Sequence, residues 1–222
     1  MTNPFEGICA VLFDMDGTLV ETDIDFPLMK REMLALGERH GIPTSELQGL
    51  DILAVVNAVV SRLPEDEGVR VRREAFDALE RIELARKDAA SVIPGALDLL
   101  CALRDCGIRI GIVTRNCRAA VEASLDLTGV FYDVLLTRDD VVNTKPHPDH
   151  LLRALEMIDV RPHEALMVGD HWMDIQAGRA AGTRTIGLLR PDRPENFFDV
   201  CPPDLIIRNL GELLPCVERL KK

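Results

Sequence analysis

Residues 9–20 read Cys9-Ala10-Val11-Leu12-Phe13-Asp14-Met15-Asp16-Gly17-Thr18-Leu19-Val20. The apolar run from Ile8 to Phe13 suits a strand covered on both faces, as in a parallel sheet flanked by helices. It stops at two carboxylates, Asp14 and Asp16, and then at Gly17-Thr18. An open parallel sheet places its ligand crevice at the C-terminal ends of its strands. One carboxylate there carries little weight. Two carboxylates a single residue apart, before a glycine that lets the backbone turn sharply, point to chemistry.

Working outward, residues 92–222 alternate in kind. Short apolar runs at 108–114, 134–137, 165–169, 183–188 and 205–207 are separated by helical stretches at 95–105, 118–127, 148–158, 173–181 and 210–220. Regular alternation predicts right-handed crossovers and a parallel sheet. Residues 21–90 show no strand signal. Leu28, Met29, Met33 and Leu36 recur at helical spacing and stop at Gly41-Ile42-Pro43. Thr44 or Ser45 can cap a second helix carrying Leu47, Leu50, Leu53 and Val56. Pro64, followed by Glu65, Asp66 and Glu67, starts a third that runs to about Ala89, because proline fits a first helical turn and acids suit its dipole. The expected division is a core of residues 1–20 and 91–222 with an all-helical insert of 21–90.

In a parallel sheet every strand's C-terminal end lies on one edge. The first strand is followed by Asp14 and Asp16, and the run at 108–113 by Thr114-Arg115-Asn116. Lys145-Pro146-His147-Pro148 lies beyond 134–136, and 165–168 ends in Gly169-Asp170-His171-Trp172-Met173-Asp174. Four carboxylates on one rim would raise one another's pKa values. Lys145 offsets one charge and a divalent cation two. Carboxylate oxygens without clustered His or Cys suit a hard cation, foremost Mg²⁺. A cation, a lysine and a hydroxyl also match the oxygens of a phosphoryl group. One carboxylate is then available as nucleophile and a second as proton carrier.

Composition narrows the partners. The chain has 222 residues, 47% hydrophobic and 28% charged, with a formal net charge of -11. That charge argues against a nucleic-acid binder held by phosphate contacts. The N-terminal residues lack a signal-peptide pattern, and no apolar run reaches the roughly 18 residues that span a bilayer. The 6 cysteines are scattered without a Cys-x-x-Cys pair, which reads as reduced, mostly buried thiols in a cytoplasmic protein. Oligomeric state leaves no readable mark.

The sequence resembles the haloacid dehalogenase-like hydrolase superfamily, in the phosphoglycolate phosphatase-like branch with a helical cap after the first strand. Asp14-Met15-Asp16-Gly17-Thr18 matches the first motif, Thr114 the second, Lys145-Pro146 the third, and Gly169-Asp170 with Asp174 the fourth. The resemblance implies an α/β fold: a Rossmann-like parallel sheet sandwiched by helices, with an inserted α-helical cap that closes over substrate. It implies a Mg²⁺-dependent phosphatase acting on a small phosphorylated metabolite, phosphoglycolate being the nearest by analogy. Asp14 would form an aspartyl-phosphate, and Asp16 would protonate the leaving oxygen and then deprotonate water. Thr114 and Lys145 would hold the phosphoryl group, joined in this reading by Arg115. Asp14, the backbone carbonyl of Asp16, and Asp170 would bind Mg²⁺, with Asp174 orienting Lys145 or metal-bound water. Gly17 would permit the turn and the Thr18 hydroxyl would tie it. A phosphosugar mutase, a pyrophosphatase and a non-catalytic binding module are the alternatives.

Several neighbours have a plainer reading. His147 reads as an exposed loop histidine. His171 and Trp172 depart from the small residue common in this branch, and either wall the leaving-group pocket or pack the helix start. Arg115 either reaches a second anionic group or is a solvated helix-start residue. Cys117 has no evident base partner. Arg70, Arg72 and Arg73 read as a solvated helix face, and Asp23 and Asp25 as a linker.

Overall fold

The computed structural model describes residues 3–218. β1 (Ala10–Phe13) is followed by β2 (Val20–Glu21). Helices α1 (Phe26–Arg39), α2 (Thr44–Leu47), α3 (Ile52–Val60) and α4 (Glu65–Leu84) come next. After β3 (Ser91–Val92) the chain alternates through α5 (Ala96–Asp105), β4 (Arg109–Val113), α6 (Arg118–Thr128), β5 (Val134–Leu136) and α7 (Asp149–Met157). It ends with β6 (Ala165–Gly169), α8 (Trp172–Ala181), β7 (Arg184–Leu188), β8 (Leu205–Ile207) and α9 (Leu214–Glu218). Two compact units result, Met1–Thr22 with Asp88–Lys222, and Asp23–Lys87.

The larger unit is the expected α/β core. Its six-stranded sheet has the order β5-β4-β1-β6-β7-β8, and its strand pairs are parallel. Alternate residues of each strand face opposite layers. Val11 and Phe13 join Ile110, Ile112, Val168 and helix α5 in one layer. Ala10 and Leu12 join Val113, Met167, α7 and α8 in the other. Burial on both faces is why these strands read as unbroken apolar runs. β1 is central because the chain winds outward from it in both directions, the arrangement that opens a crevice at its C-terminal end.

The sequence expectation fails in several places here, among them the third helix, which ends at Leu84 and not near Ala89. Residues 20–21 pair antiparallel with 91–92, Val20 opposite Val92 and Glu21 opposite Ser91. This ribbon holds both crossings to the sheet unit, so the units part at 22/23 and 87/88, not at 20/21 and 90/91. The single second helix is instead α2 and α3. Asp51 breaks it, because its carboxylate accepts from the backbone N–H of Leu53 and Ala54 and starts a new helix. The 210–220 stretch begins as a 3₁₀ turn at Leu210–Leu213, and its expected end lies outside the described residues. The thiols are free but not mostly buried: Cys117 is buried, whereas Cys9 and Cys101 are exposed. Cys9 precedes β1, which starts at Ala10.

The smaller unit is helical. Asp25 caps α1 by accepting from Leu28 N at 2.7 Å. Met29, Met33 and Leu36 of α1 bury against Val55, Val56 and Val59 of α3 and Val71, Ala75 and Leu79 of α4. Arg72 donates to Asn57 Oδ1 at 2.8 Å. Asp23 pairs with Arg86, which ties together the two ends of the insert. Among the described residues no helix is long and apolar enough to cross a membrane.

Candidate active site

The strand register sets the site. Phe13 lies level with Ile112 of β4 and Val168 of β6. Asp14 N donates to Val168 O at 2.9 Å, and Thr114 N to Leu136 O at 2.9 Å. The residues just past β1, β4 and β6 therefore share one edge. Gly17 turns the chain there with φ of 78°. A Cβ at Gly17 would collide with the Asp170 carboxylate, and one at Gly169 with Asp174. Both glycines thus let the backbone pass close to an acid. The turn is closed by backbone bonds from Thr18, Leu19 and Val20 N–H to Met15 O. The Thr18 hydroxyl, expected to tie it, is buried without a hydrogen-bond partner among the described residues.

Asp14, Asp170 and Asp174 each offer a carboxylate oxygen, all within 4.8 Å of one another. Lys145, 2% exposed, places Nζ 2.6 Å from Asp14 Oδ1 and 2.7 Å from Asp174 Oδ1. Burial pulls the Lys145 ammonium down, but Asp14 and Asp174 outweigh it and hold the pKa above its ordinary value. Burial pushes Asp14 up to about 6, against Lys145 and aided by Asp174. Burial also lifts Asp170 well above the carboxylate range, with Asp14 and Asp174 adding to the rise. A single ammonium thus leaves this group of acids under-neutralised. Oxygen donors at this spacing with surplus negative charge fit a divalent cation.

Asp16 stands apart from that trio. Its carboxylate accepts from Thr22 Oγ1 at one oxygen and from Asn116 Nδ2 at the other. Asp16 is not among the three carboxylates whose oxygens lie within 4.8 Å of one another. Thr114 is buried, and its Oγ1 accepts from Asn116 N at 3.3 Å. Arg115 directs Nη1 at Met173 Sδ, 2.8 Å away, and its carbonyl accepts from Arg138 Nη1 at 3.4 Å. Asp174 Oδ2 accepts from His171 N at 3.0 Å, so Asp174 braces both Lys145 and the start of α8.

The neighbours sort cleanly. His171 caps α8, with Nδ1 accepting from Met173 N at 3.3 Å. Burial lowers its pKa to about 4, against the attraction of Asp14. Its ring lies 5.3 Å from Trp172 and 5.6 Å from Phe197. His147 is exposed beside Asp149. Cys117 Sγ accepts from Ala120 N at 3.5 Å as the cap of α6.

Two placements were not foreseen. Arg190, two residues past β7, donates to Gly17 O at 3.3 Å and pairs with Glu21. The signal was present, since the apolar run at 183–188 also ends on the ligand edge and Arg190 follows it by two residues. His150 is fully buried. Burial, then Lys145, holds its pKa down at about 3, opposed by a hydrogen bond to the Thr137 backbone and by Asp140, with Arg115 adding to the fall. The unfolded chain takes up a proton near 6.5 that the fold refuses down to about 3. Stability is therefore lost as pH falls through that window, by up to ~1.4 kcal/mol per pH unit. His150→Leu should lack this loss. The gap between the unfolding free energies of wild type and variant should shift by about 2 kcal/mol between about pH 7 and about pH 4.5. A pH-independent gap would refute the assignment.

Known proteins resemble this chain over most of its length. The family model of the haloacid dehalogenase-like hydrolases matches residues 8–182. The phosphoglycolate phosphatase of Escherichia coli (strain K12) is 33% identical over 241 residues, covering 97% of this chain and 94% of that protein. Pyrophosphatase PpaX of Bacillus cereus (strain B4264) is 30% identical over 226 residues, covering 97% and 99%. The crystal structure of a haloacid dehalogenase-like hydrolase from Bacteroides fragilis matches with a TM-score of 0.69 at 25% identity, covering 93% of this chain and 99% of that one. The motif residues stand at the ends of adjacent parallel strands, and similarity to these proteins extends over nearly the whole chain. The chain belongs to the haloacid dehalogenase-like hydrolase family, in its phosphoglycolate phosphatase-like branch.

Proposed function

We propose that this chain is a cytoplasmic Mg²⁺-dependent phosphatase that hydrolyses a small phosphomonoester through an aspartyl-phosphate on Asp14. The observation that carries this reading is Asp14 itself. Its largely enclosed carboxylate directly follows the central strand, held by Lys145 at 2.6 Å beside Asp170 and Asp174. A carboxylate so placed is a nucleophile with its counter-charge already in position.

The residues divide the work. An Asp14 oxygen attacks phosphorus while Asp16 gives its proton to the leaving oxygen. Asp16 then takes a proton from the water that releases inorganic phosphate and frees Asp14. Lys145 and the Thr114 hydroxyl hold the phosphoryl oxygens, and Arg115 adds positive charge to the same rim. Asp174 fixes Lys145. Asp14, the Asp16 backbone carbonyl and Asp170 are the proposed Mg²⁺ ligands. The bound ion supplies Lewis-acid stabilisation of the charge on the transferring group.

Relatives named for phosphoglycolate and for pyrophosphate make those the first substrates to try, with pyrophosphate the second reading. Phosphate release from a panel of phosphorylated metabolites, ranked by kcat/KM in Mg²⁺ buffer, tests the proposal. Release from none of them, nor from a generic aryl phosphate, would overturn it.

The helical unit is the proposed cap that selects the leaving group. It holds a cleft of about 660 Å³ lined by apolar side chains such as Ile24, Leu28 and Ile82, by Arg81 and Arg86, and by the acids Asp23, Asp25 and Glu32. Such a mixed lining suits a small polar organic group better than a purely apolar one. The groups proposed for chemistry all lie outside residues 23–87. Exchanging this insert for that of a relative should therefore reorder kcat/KM across the panel by about tenfold or more, with Mg²⁺ dependence retained. An unchanged ranking in a folded chimera would place specificity on the sheet-unit loops.

A further inference from the structure

The loop after β4 carries a side chain that none of the motifs accounts for. Asn116 is 6% exposed. Its N–H donates to Thr114 Oγ1 at 3.3 Å, and its carbonyl accepts from Arg138 N at 3.1 Å. The backbone is thereby pinned from two sides, and the Asn116 amide lies against Asp16 Oδ2. Thr22 Oγ1 holds the other oxygen of the same carboxylate.

We infer that Asn116 is the positioning residue for the proton carrier Asp16. This deepens the phosphatase reading above and rests on it. A proton carrier alternates between two states, carboxylic acid and carboxylate. A primary amide favours neither strongly, because it offers N–H donors on one side and a carbonyl acceptor on the other. Turned one way it donates to the carboxylate. Rotated about its terminal bond it accepts the acid proton. The Thr22 hydroxyl has the same dual capacity. Asp16 therefore keeps one orientation through both halves of the reaction.

Protons and electron pairs balance across the two halves. In the first half the Asp16 O–H bond breaks and its proton joins the leaving oxygen. The P–O bond to that oxygen breaks, its electron pair stays with the oxygen, and the Asp14 O–P bond forms. In the second half a water O–H proton returns to Asp16, the water oxygen bonds to phosphorus, and the Asp14 O–P bond breaks. Asn116 takes no proton in either half. Losing it misplaces Asp16, and the loss matters in proportion to how much the leaving oxygen needs the proton.

That proportion is measurable. A series of aryl phosphates from dinitrophenyl to phenyl phosphate spans good to poor leaving groups, and kcat/KM reports the step that expels them. In Asn116→Ala, kcat/KM for phenyl phosphate should fall about tenfold or more, whereas that for dinitrophenyl phosphate should fall less than about threefold. The dinitrophenyl rate also reports that the site is folded. Asn116→Ser keeps a small donor and acceptor, so its slope should lie between wild type and Ala. It serves as the test if the Ala variant does not fold. Parallel losses across the series, or no loss at all, would overturn the inference and leave Asn116 a purely structural loop residue. A wild type inactive on every member of the series would instead overturn the phosphatase reading.

Discussion

Asp14→Asn should lower kcat by ~1000-fold or more while leaving the fold intact. The amide is nearly isosteric with the carboxylate, but it cannot form the acyl phosphate. The structure adds a stability expectation. Asp14 is a buried acid whose pKa is lifted to about 6, chiefly by burial and further by Asp174. Making that position neutral removes a like-charge repulsion, and Lys145 keeps its partner Asp174 at 2.7 Å. The variant should therefore unfold no earlier than wild type in metal-free buffer at neutral pH, a common result when a strained functional group is removed. Thermal unfolding and single-turnover kinetics check the two halves separately. Retention of more than about a tenth of wild-type kcat would refute Asp14 as the nucleophile.

Chelation of divalent metal should abolish turnover, by ~100-fold or more, and Mg²⁺ should restore it with Ca²⁺ a poor substitute. The reason lies in the charge balance. Asp14, Asp170 and Asp174 converge within 4.8 Å, and Lys145 is the cation paired with two of them. Without a further cation, an incoming phosphoryl dianion meets a rim that is already negative. Ca²⁺ takes more ligands at longer distances, so it would draw Asp14 away from the line of attack. Titration with each metal in chelator-treated buffer, read by phosphate release, gives the result directly. Full activity after chelation would favour the metal-independent chemistry of the dehalogenases.

Much of this protein is legible in one-dimensional patterns. Strands buried on both faces must be apolar along their whole length, so β1, β4, β6 and β7 are visible as runs. Strand ends on one sheet edge must lie together, so the convergence of Asp14, Thr114, Lys145, Asp170 and Asp174 can be read from element order alone. The three-helix reading of the insert ran its last helix past Leu84, and it missed a break that a single side chain decides. Leu47, Leu50, Leu53 and Val56 keep a helical period across residues 48–51, but the Asp51 carboxylate satisfies backbone donors and restarts the helix there.

What the sequence by itself determined is the identity and order of the elements and which loops meet, because periodicity and the parallel crossover rule are local and topological. What only the tertiary structure decided is where each side chain on those loops points. Asp14 and Asp16 are two residues apart, yet the Gly17 turn sends one to Lys145 and the other to Thr22 and Asn116. The β2–β3 ribbon joins residues some 70 apart through two-residue strands, too short to carry any period. His150 sits at a periodic apolar position of α7, and its complete burial depends on how α7 packs against the sheet. Arg190 reaches Gly17 across 173 residues of chain. Each of these depends on distances between segments far apart in sequence, which no spacing along the chain encodes.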